Sequence, residues 1–99
     1  MFFRKKLRMG YALAPIRLVE GKRKVRYMYR EEPDNVQDSG WRFFSGDEDD
    51  EYVNDPDNIG LYDVNTIADI DPDIIPYLNH PVGSAFERED GALPFVKSP

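Results

Sequence analysis

The sequence predicts a mainly β domain of the α+β class, built as a small twisted antiparallel sheet or a partly open barrel with one or two short helices. Three observations predict it. Two short segments alternate apolar and polar side chains with the period of a strand. Clusters of Pro, Gly, Asn and Asp separate the segments and leave no room for a long helix. A chain of 99 residues, of which 40% are hydrophobic, buries one modest core, so we predict a single domain at residues 11–96, with a basic arm at 1–10 and a tail at 97–99.

The first predicted strand, residues 11–19, is rich in apolar residues but contains Pro15. Proline has no backbone N–H to donate to a neighbouring strand, so we predict an edge strand or an interrupted one. After a turn at residues 20–22, residues 24–30 alternate more clearly than any other segment. One face of this second strand carries Val25, Tyr27 and Tyr29, and the other carries Lys24, Arg26, Met28 and Arg30.

A loop of turn-forming residues at 31–40 leads to the next predicted strand, residues 41–44. Because side chains alternate along a strand, Trp41 and Phe43 are expected on one face, opposite Arg42 and Phe44. The aromatic rings of this segment are expected to form the core of the domain.

The strand runs into five consecutive acids, residues 47–51. Ser45 and Glu48 have the spacing of a capping box, in which the Ser hydroxyl accepts a hydrogen bond from a backbone N–H and the Glu carboxylate reaches back. We therefore predict that Ser45 is the N-cap of a short helix. Its first turn would hold the first of these acids, where the helix dipole stabilises each carboxylate by about 0.3–1 kcal/mol. Tyr52 and Val53 would close the helix onto the aromatic sheet.

The C-terminal part of the chain is predicted to hold short elements. Residues 58–62 form a strand, and residues 64–68 fit either a strand or a helix. Asp71 is an N-cap with Pro72 at the first helical position, and Pro76 limits that helix to a turn or two. The chain is completed by a strand at 82–87, a turn at Asp90 and Gly91, and a returning segment at 92–96.

No motif predicts catalysis, a metal site or a cofactor. Cysteine is absent, which excludes disulfides, zinc–thiolate sites and a cysteine nucleophile. The acidic segments 47–51 and 69–73 begin with the spacing of a calcium loop but lack its later Gly and Glu ligand positions. The single histidine, His80, has no nucleophile motif to serve. We therefore predict a protein that is not an enzyme and has no catalytic residue, metal or cofactor.

Location is predicted from the same composition. No apolar run approaches the roughly 20 residues of a membrane-spanning helix. The first ten residues place apolar side chains before the charges, which is the reverse of a signal peptide. Together with the lack of cysteine, these features lead us to expect a cytoplasmic protein that does not enter a membrane.

Charge is distributed unevenly along the chain. Residues 1–30 hold ten Lys and Arg against one acid, a formal charge of +9. Residues 31–99 hold three Lys and Arg against eighteen acids, a formal charge of −15. Two interpretations stay open: the basic strand lies against acidic loops of the same domain, or the two parts face different partners.

The basic segment suggests one alternative function, a nucleic-acid- or transcription-linked binding module. Its surface would combine Lys24, Arg26 and Arg30, with Arg42 beside them. Two features disfavour nucleic acid as the partner. The rings of Tyr27 and Tyr29 lie on the opposite strand face from the bases, whereas a stacking platform needs both together. The acidic remainder of the chain repels a phosphate backbone.

Five blocks of the sequence carry a resemblance to a known family: residues 25–31, residues 38–48 with WRFFSGDE at their end, and residues 57–58, 71–76 and 83–88. They resemble a small bacterial family, long catalogued as a domain of unknown function and now grouped with the immunity proteins of polymorphic toxin systems. The resemblance spans about residues 11–90. It implies a mainly β domain with short helices, similar in shape to the inserted second domain of some bacterial transcription elongation factors. It supplies no catalytic residue.

We therefore predict a non-catalytic cytoplasmic binding protein of the immunity type. Its partner would be another protein, such as a basic toxin, for example a nuclease, whose active surface it covers. The predicted binding surface is acidic and aromatic and consists of Phe44, Asp47, Glu48, Asp49, Asp50, Glu51 and Tyr52. Complementary charge speeds the encounter and sharpens selectivity, while a buried ring supplies affinity. The sequence does not determine the oligomeric state.

Overall fold

The computed structural model describes residues 6–99, so residues 1–5 of the predicted basic arm lie outside the described residues. Within residues 6–99 the chain forms six strands, three α-helices and two 3₁₀ helices. The strands are β1 (Tyr11–Pro15), β2 (Tyr27–Arg30), β3 (Asp38–Phe44), β4 (Ile59–Asp63), β5 (Ala85–Glu87) and β6 (Val96–Lys97). The helices are α1 (Ile16–Glu20), α2 (Asp50–Asn54) and α3 (Val64–Ile70), with 3₁₀ helices at Pro56–Asn58 and Pro72–Tyr77. The predicted α+β class is confirmed, with more helices than expected.

The strands form one open sheet in the order β4-β1-β3-β2-β5-β6. Among the described strands all neighbours are antiparallel except β1 and β3, which are parallel. The sequence predicts an antiparallel sheet, so the parallel pair corrects that expectation. The chain leaves β1 through α1 and forms β2 two positions away from β1 in the sheet. It then reverses direction and forms β3 between β1 and β2, so β3 runs parallel to β1. The sheet does not close into a barrel, because β4 and β6 remain its edges.

One face of the sheet is buried beneath the helices. It contributes Met28, Trp41 and Phe43, none of which has any solvent exposure. Residues of α1, α3 and the second 3₁₀ helix, with the residue that follows this helix, belong to the same core, namely Leu18, Val64, Ile67, Ala68, Ile74 and Leu78. The indole N–H of Trp41 donates a 3.1 Å hydrogen bond to the carbonyl oxygen of Leu78, so the polar atom of this ring is satisfied inside the core. The predicted core positions of Trp41 and Phe43 are confirmed.

The other face of the sheet is accessible to solvent, and we call it the open face. Strand pairing places Leu13 beside Leu61 and Arg42, and it places Tyr27 beside Phe44. Leu61 is 63% exposed and Tyr27 is 37% exposed. Apolar side chains grouped on an exposed surface are a feature of interaction sites, so this face is the candidate for contact with a partner.

Pro15 ends β1 and does not place the strand at an edge. β1 lies between β4 and β3, so the edge position expected from Pro15 is wrong. The expected interruption is confirmed, because Pro15 is the last residue of β1 and immediately precedes α1. At the end of a ladder, the missing N–H of a proline breaks no central hydrogen bond.

The acidic helix begins later than the sequence predicts. The Asp49 carboxylate caps α2 by accepting a 2.8 Å hydrogen bond from the backbone N–H of Tyr52, so Ser45 is not the N-cap. The chain first turns at Gly46, whose φ of +90° is not helical and favours glycine. Glu48 does reach back to the N–H groups of Ser45 and Gly46, at 2.8 and 2.9 Å, but it closes a turn and not a helix.

The C-terminal elements follow the prediction more closely. Asp71 caps the second 3₁₀ helix by accepting a 3.1 Å hydrogen bond from the N–H of Asp73, with Pro72 next to the cap. Residues 64–68, which fit either element type, belong to α3. The strand predicted at 82–87 is shorter, and it pairs with β6 in an antiparallel hairpin.

Both described ends of the chain contact the domain. Leu7 and Met9, in the predicted arm, pack against the core. The N–H of Leu7 donates a 2.8 Å hydrogen bond to the side-chain oxygen of Asn65. At the other end, the N–H of Ser98 donates a 2.8 Å hydrogen bond to the carbonyl oxygen of Ala85.

Replacing Trp41 by alanine should lower the free energy of unfolding by about 3–5 kcal/mol, because it empties core volume. Urea denaturation followed by circular dichroism measures the change. Leu61→Ala, on the open face, is the control and should change the free energy by less than about 0.5 kcal/mol. An equal loss in both variants would contradict the assignment of a buried and an open face.

Candidate functional site

Three aromatic rings from β2 and β3 form a groove on the open face. The ring centroids of Tyr27, Tyr29 and Phe44 are separated by 5.7, 6.2 and 6.1 Å in the three possible pairs. They line a cavity of about 380 Å³, whose other lining residues are Gly46, Glu48 and Val53. We call these residues the aromatic groove.

The register between β2 and β3 brings the three rings together. Tyr27 lies directly opposite Phe44, and Tyr29 follows two residues later on the same face of β2. Directly opposed side chains of antiparallel strands have Cβ atoms about 5 Å apart, which is within reach of ring contact. Phe44, which belongs to the predicted binding surface, therefore lies in the groove. Tyr27 and Tyr29 join it, although no local motif marks them as binding residues and only their two-residue spacing hints at a shared face.

The turn after β3 positions α2 beside the groove. The Ser45 hydroxyl lies 2.6 Å from an oxygen of Glu48 and 2.7 Å from an oxygen of Asp47, and it shares its single hydrogen between them. Glu48 also accepts from two backbone N–H groups of this turn. This network holds the carboxylate of Glu48 at the wall of the groove, and α2 then brings Val53 to the same cavity.

A buried ion cluster lies next to the groove on the open face. Arg42 donates hydrogen bonds of 2.9 and 2.8 Å to Asp38 and one of 2.6 Å to Glu31. The Arg42 side chain is 2% exposed and that of Asp38 is fully buried. The hydrogen bonds from Arg42 hold the pKa of Asp38 far below its usual range, and Asp38 raises the pKa of Arg42. Burial, followed by the negative charge of Glu31, raises the pKa of the neighbouring Tyr29.

Asp47, the first of the five acids, is held by arginines of the same domain. Its oxygens lie 2.7 Å from Arg23 and 3.4 Å from Arg17. The hydrogen bond from Ser45 lowers the pKa of Asp47, and the two arginines lower it further. The sequence predicts this carboxylate in the first turn of a helix and free for a partner. In the structure Asp47 precedes α2, and its carboxylate is paired with two arginines of the domain.

The following acids are more accessible. Asp49 caps α2, and Asp50 and Glu51 occupy its first turn with exposed side chains. Tyr52, also in the predicted site, is half-buried, and its ring lies under the guanidinium of Arg17, 4.0 Å from the ring centroid. The structure therefore brings Phe44 and Glu48 into the groove. It places Asp49 at the cap of α2 and Asp50 and Glu51 in the first turn of this helix, whose Val53 lines the groove. Tyr52 packs against Arg17 of the domain.

The four basic residues of the alternative nucleic-acid surface do not share one face. Arg30 pairs with Trp41 across the sheet and donates to backbone carbonyl oxygens. Lys24 lies within 3.6 Å of two carboxylates. Arg42 belongs to the ion cluster on the open face, and Arg26 alone of the four has a buried Nε without a hydrogen-bond partner. The single basic surface that this alternative requires is not formed.

Within residues 6–99, no group of three or more His, Asp or Glu side chains is arranged to hold a metal ion. Asp71 and Asp73, from the second acidic segment, are paired with Arg88 at 2.7 and 2.9 Å. No helix in this described part has the length and apolar character needed to cross a membrane.

A family model described as the immunity protein Imm33 domain matches residues 13–97 of the chain. The match includes β2, β3 and α2, which supply the aromatic groove. Neither the curated proteins nor the solved structures contain a significant match to the chain. The immunity-protein resemblance of the sequence is confirmed at the level of the family.

The Asp38–Arg42 pair should make stability depend on acid pH. The pKa of Asp38 is lower in the folded protein than its ordinary value of about 4, so the unfolded chain binds this proton more readily. The stabilisation is therefore complete above about pH 4 and is lost as the pH falls through the lower, folded pKa.

At neutral pH, Asp38→Asn should lower the free energy of unfolding by about 3–5 kcal/mol, because the buried Arg42 keeps a single carboxylate partner. The difference from the parent protein should shrink as the pH falls below about 4, because the unfolded parent chain then takes up a proton at Asp38 that the folded protein does not bind. Urea denaturation across this pH range measures both effects. A difference that stays constant with pH would show that the Asp38 charge is not responsible.

Proposed function

The chain belongs to the Imm33 family of immunity proteins, and on that premise we propose that it neutralises a toxin by binding to it, without catalysing a reaction. The proposed partner is a basic protein toxin, of which a nuclease is one example, and the proposed place of action is the cytoplasm. Binding would block the toxin by covering its active surface. The proposed contact surface is the aromatic groove together with the acids of residues 49–51.

The observation that supports this proposal is that the aromatic groove is accessible and that one of its lining residues, Val53, belongs to the short helix α2 that carries the exposed acids Asp50 and Glu51. Tyr27 is 37% exposed, and Tyr29 and Phe44 are half-buried, so the rings keep accessible area. The opposite face of the sheet is occupied by the core and its helices. A partner that recognises the sheet therefore has the open face available to it.

Rings and acids would contribute differently to binding. Residues that dominate affinity are commonly large side chains that become fully desolvated at the centre of an interface. Tyr27 and Phe44 are suited to this role, because they lie side by side and would lose their remaining exposure under a partner. Exposed charges at the rim add little affinity but raise the rate of association with an oppositely charged protein.

The charge around the surface favours a basic partner. The ion cluster contributes one base and two acids, all on the open face or its adjoining loop. Glu48 adds a carboxylate at the groove wall, and Asp50 and Glu51 add exposed carboxylates on α2. A surface with this excess of negative charge attracts a basic protein over distances of about one Debye length, near 8–10 Å.

Co-purification tests the binding role. The tagged protein is co-expressed with the products of neighbouring genes, and we expect it to retain a toxin and to restore growth of cells that express that toxin. Retention without protection, or protection without a complex, would contradict neutralisation by binding.

Charge reversal tests the electrostatic part of the proposal. The variant Asp50→Lys with Glu51→Lys should slow association with the retained toxin by about tenfold or more at low salt, because it removes steering. Asp49 is left unchanged, since it caps α2. Surface plasmon resonance at several salt concentrations measures the rate.

The matched control carries Glu20→Lys and Glu32→Lys, two exposed acids outside the proposed surface, and therefore has the same net charge. Its association rate should fall less than that of the α2 variant. Equal rates for the two variants would show that only overall charge matters and that α2 does not face the toxin.

A further inference from the structure

We propose that the aromatic groove is a receptor for a single cationic side chain, an arginine or a lysine that the partner inserts between Tyr27, Tyr29 and Phe44. This inference rests on the proposed function, because it names the chemistry that the toxin presents at the centre of the contact. The acidity of the surface alone does not imply this inference, because the inference places the cation over the aromatic rings and not against the exposed acids.

The ring geometry suits a cation. The three centroids form a nearly equilateral triangle with sides of 5.7, 6.2 and 6.1 Å. A positive charge above the middle of this triangle lies within about 6 Å of every centroid, which is the range of cation–π attraction. The cavity of about 380 Å³ exceeds the volume of one long side chain. A charge in this position would lie within range of all three rings, whose planes are inclined to one another by 42°, 32° and 11°.

The domain uses the same interaction on three of its other aromatic rings. The guanidinium of Arg17 lies 4.0 Å from the ring centroid of Tyr52, and that of Arg88 lies 4.1 Å from the centroid of Phe95. A third arginine lies over the core indole at 5.7 Å. Within the described residues, no arginine or lysine of the domain lies over a ring of the aromatic groove. The groove therefore keeps the ring surface that an external cation requires.

Carboxylates at the groove supply complementary charge. Glu48 lines it directly, and Glu87 lies opposite Tyr27 in the β2–β5 pairing, on the same face of the sheet. Arg42, opposite Tyr29, is neutralised by its carboxylate partners. The carboxylates of Glu48 and Glu87 repel an anionic side chain and attract a cationic one.

Arg26 is a positively charged residue close to the groove. Its side chain packs against Gly46, where an added Cβ would stand 3.1–3.3 Å from Arg26 atoms. It also lines the adjoining cavity with Tyr27 and Glu87. Because this guanidinium repels a second cation, its removal should strengthen binding at the groove.

The experiment uses the complete protein and small probes, so it does not depend on finding the toxin. Nitrogen-15 spectra are recorded during titration with N-acetyl-arginine methylamide and, separately, with the citrulline analogue, which has the same shape and no charge. We expect saturable shifts with the arginine probe, centred on residues 27–29 and 44–48, and at least about threefold weaker binding of the citrulline probe.

Variants locate the site. Tyr27→Ala should weaken arginine binding by about threefold or more, because it removes one of the three rings, and Glu87→Gln should weaken it through loss of charge. Leu61→Ala, an exposed apolar residue elsewhere on the same face, should leave it unchanged. Arg26→Ala should strengthen it. The spectra themselves report whether each variant is folded.

The outcomes separate the inference from the proposed function. Equal binding of arginine and citrulline probes, or shifts confined to residues 49–51, would overturn the cation site and leave toxin binding intact. Arginine binding that is lost in Tyr27→Ala, in a protein that retains no toxin, would support the site and contradict the immunity role. Shifts with an N-acetyl-leucine methylamide probe alone would identify the groove as an apolar pocket and overturn the inference.

Discussion

The alternation of side chains along β3 is the constraint on which the rest of the structure depends. β3 is hydrogen-bonded to β1 on one side and to β2 on the other, so a shift of its register by one residue would disturb two ladders and exchange its faces. Trp41 and Phe43 fill the core, while Arg42 and Phe44 reach the open face. The same strand thus supplies the centre of the hydrophobic core and one wall of the aromatic groove.

A charged residue in the middle of the sheet has a structural consequence. The buried guanidinium of Arg42 is tolerated because Asp38 and Glu31 satisfy its donors. An apolar side chain at this position would leave the buried Asp38 carboxylate without its Arg42 donors. The ion cluster also separates Leu13 from Tyr29 on this face of the sheet, because Arg42 lies between them.

The uneven charge of the chain is compensated in part within the domain. Arg17 and Arg23 approach Asp47, and Lys24 approaches Asp71 and Asp73, so bases of the first thirty residues meet acids that follow them in the chain. This agrees with the interpretation that the basic segment lies against acidic loops. The compensation does not extend to the first turn of α2, where exposed acids stand beside the groove. Exposed acids also occur elsewhere on the domain, for example Glu32, Asp57 and Glu89, so α2 is one part of a wider negative surface.

By itself the sequence determined the features that depend on near neighbours in the chain. Alternation assigned Trp41 and Phe43 to the core, and the pairing of Asp71 with Pro72 located a short helix, because caps and strand periodicity are local properties. Only the tertiary structure decided the parallel pairing of β1 with β3 and the meeting of Tyr27, Tyr29 and Phe44 in one groove. Strand order and register are set by contacts between residues distant in the chain, which a local pattern does not encode. The late start of α2 has the same origin, since Arg17 and Arg23 hold Asp47 in place and the turn at Gly46 precedes the helix.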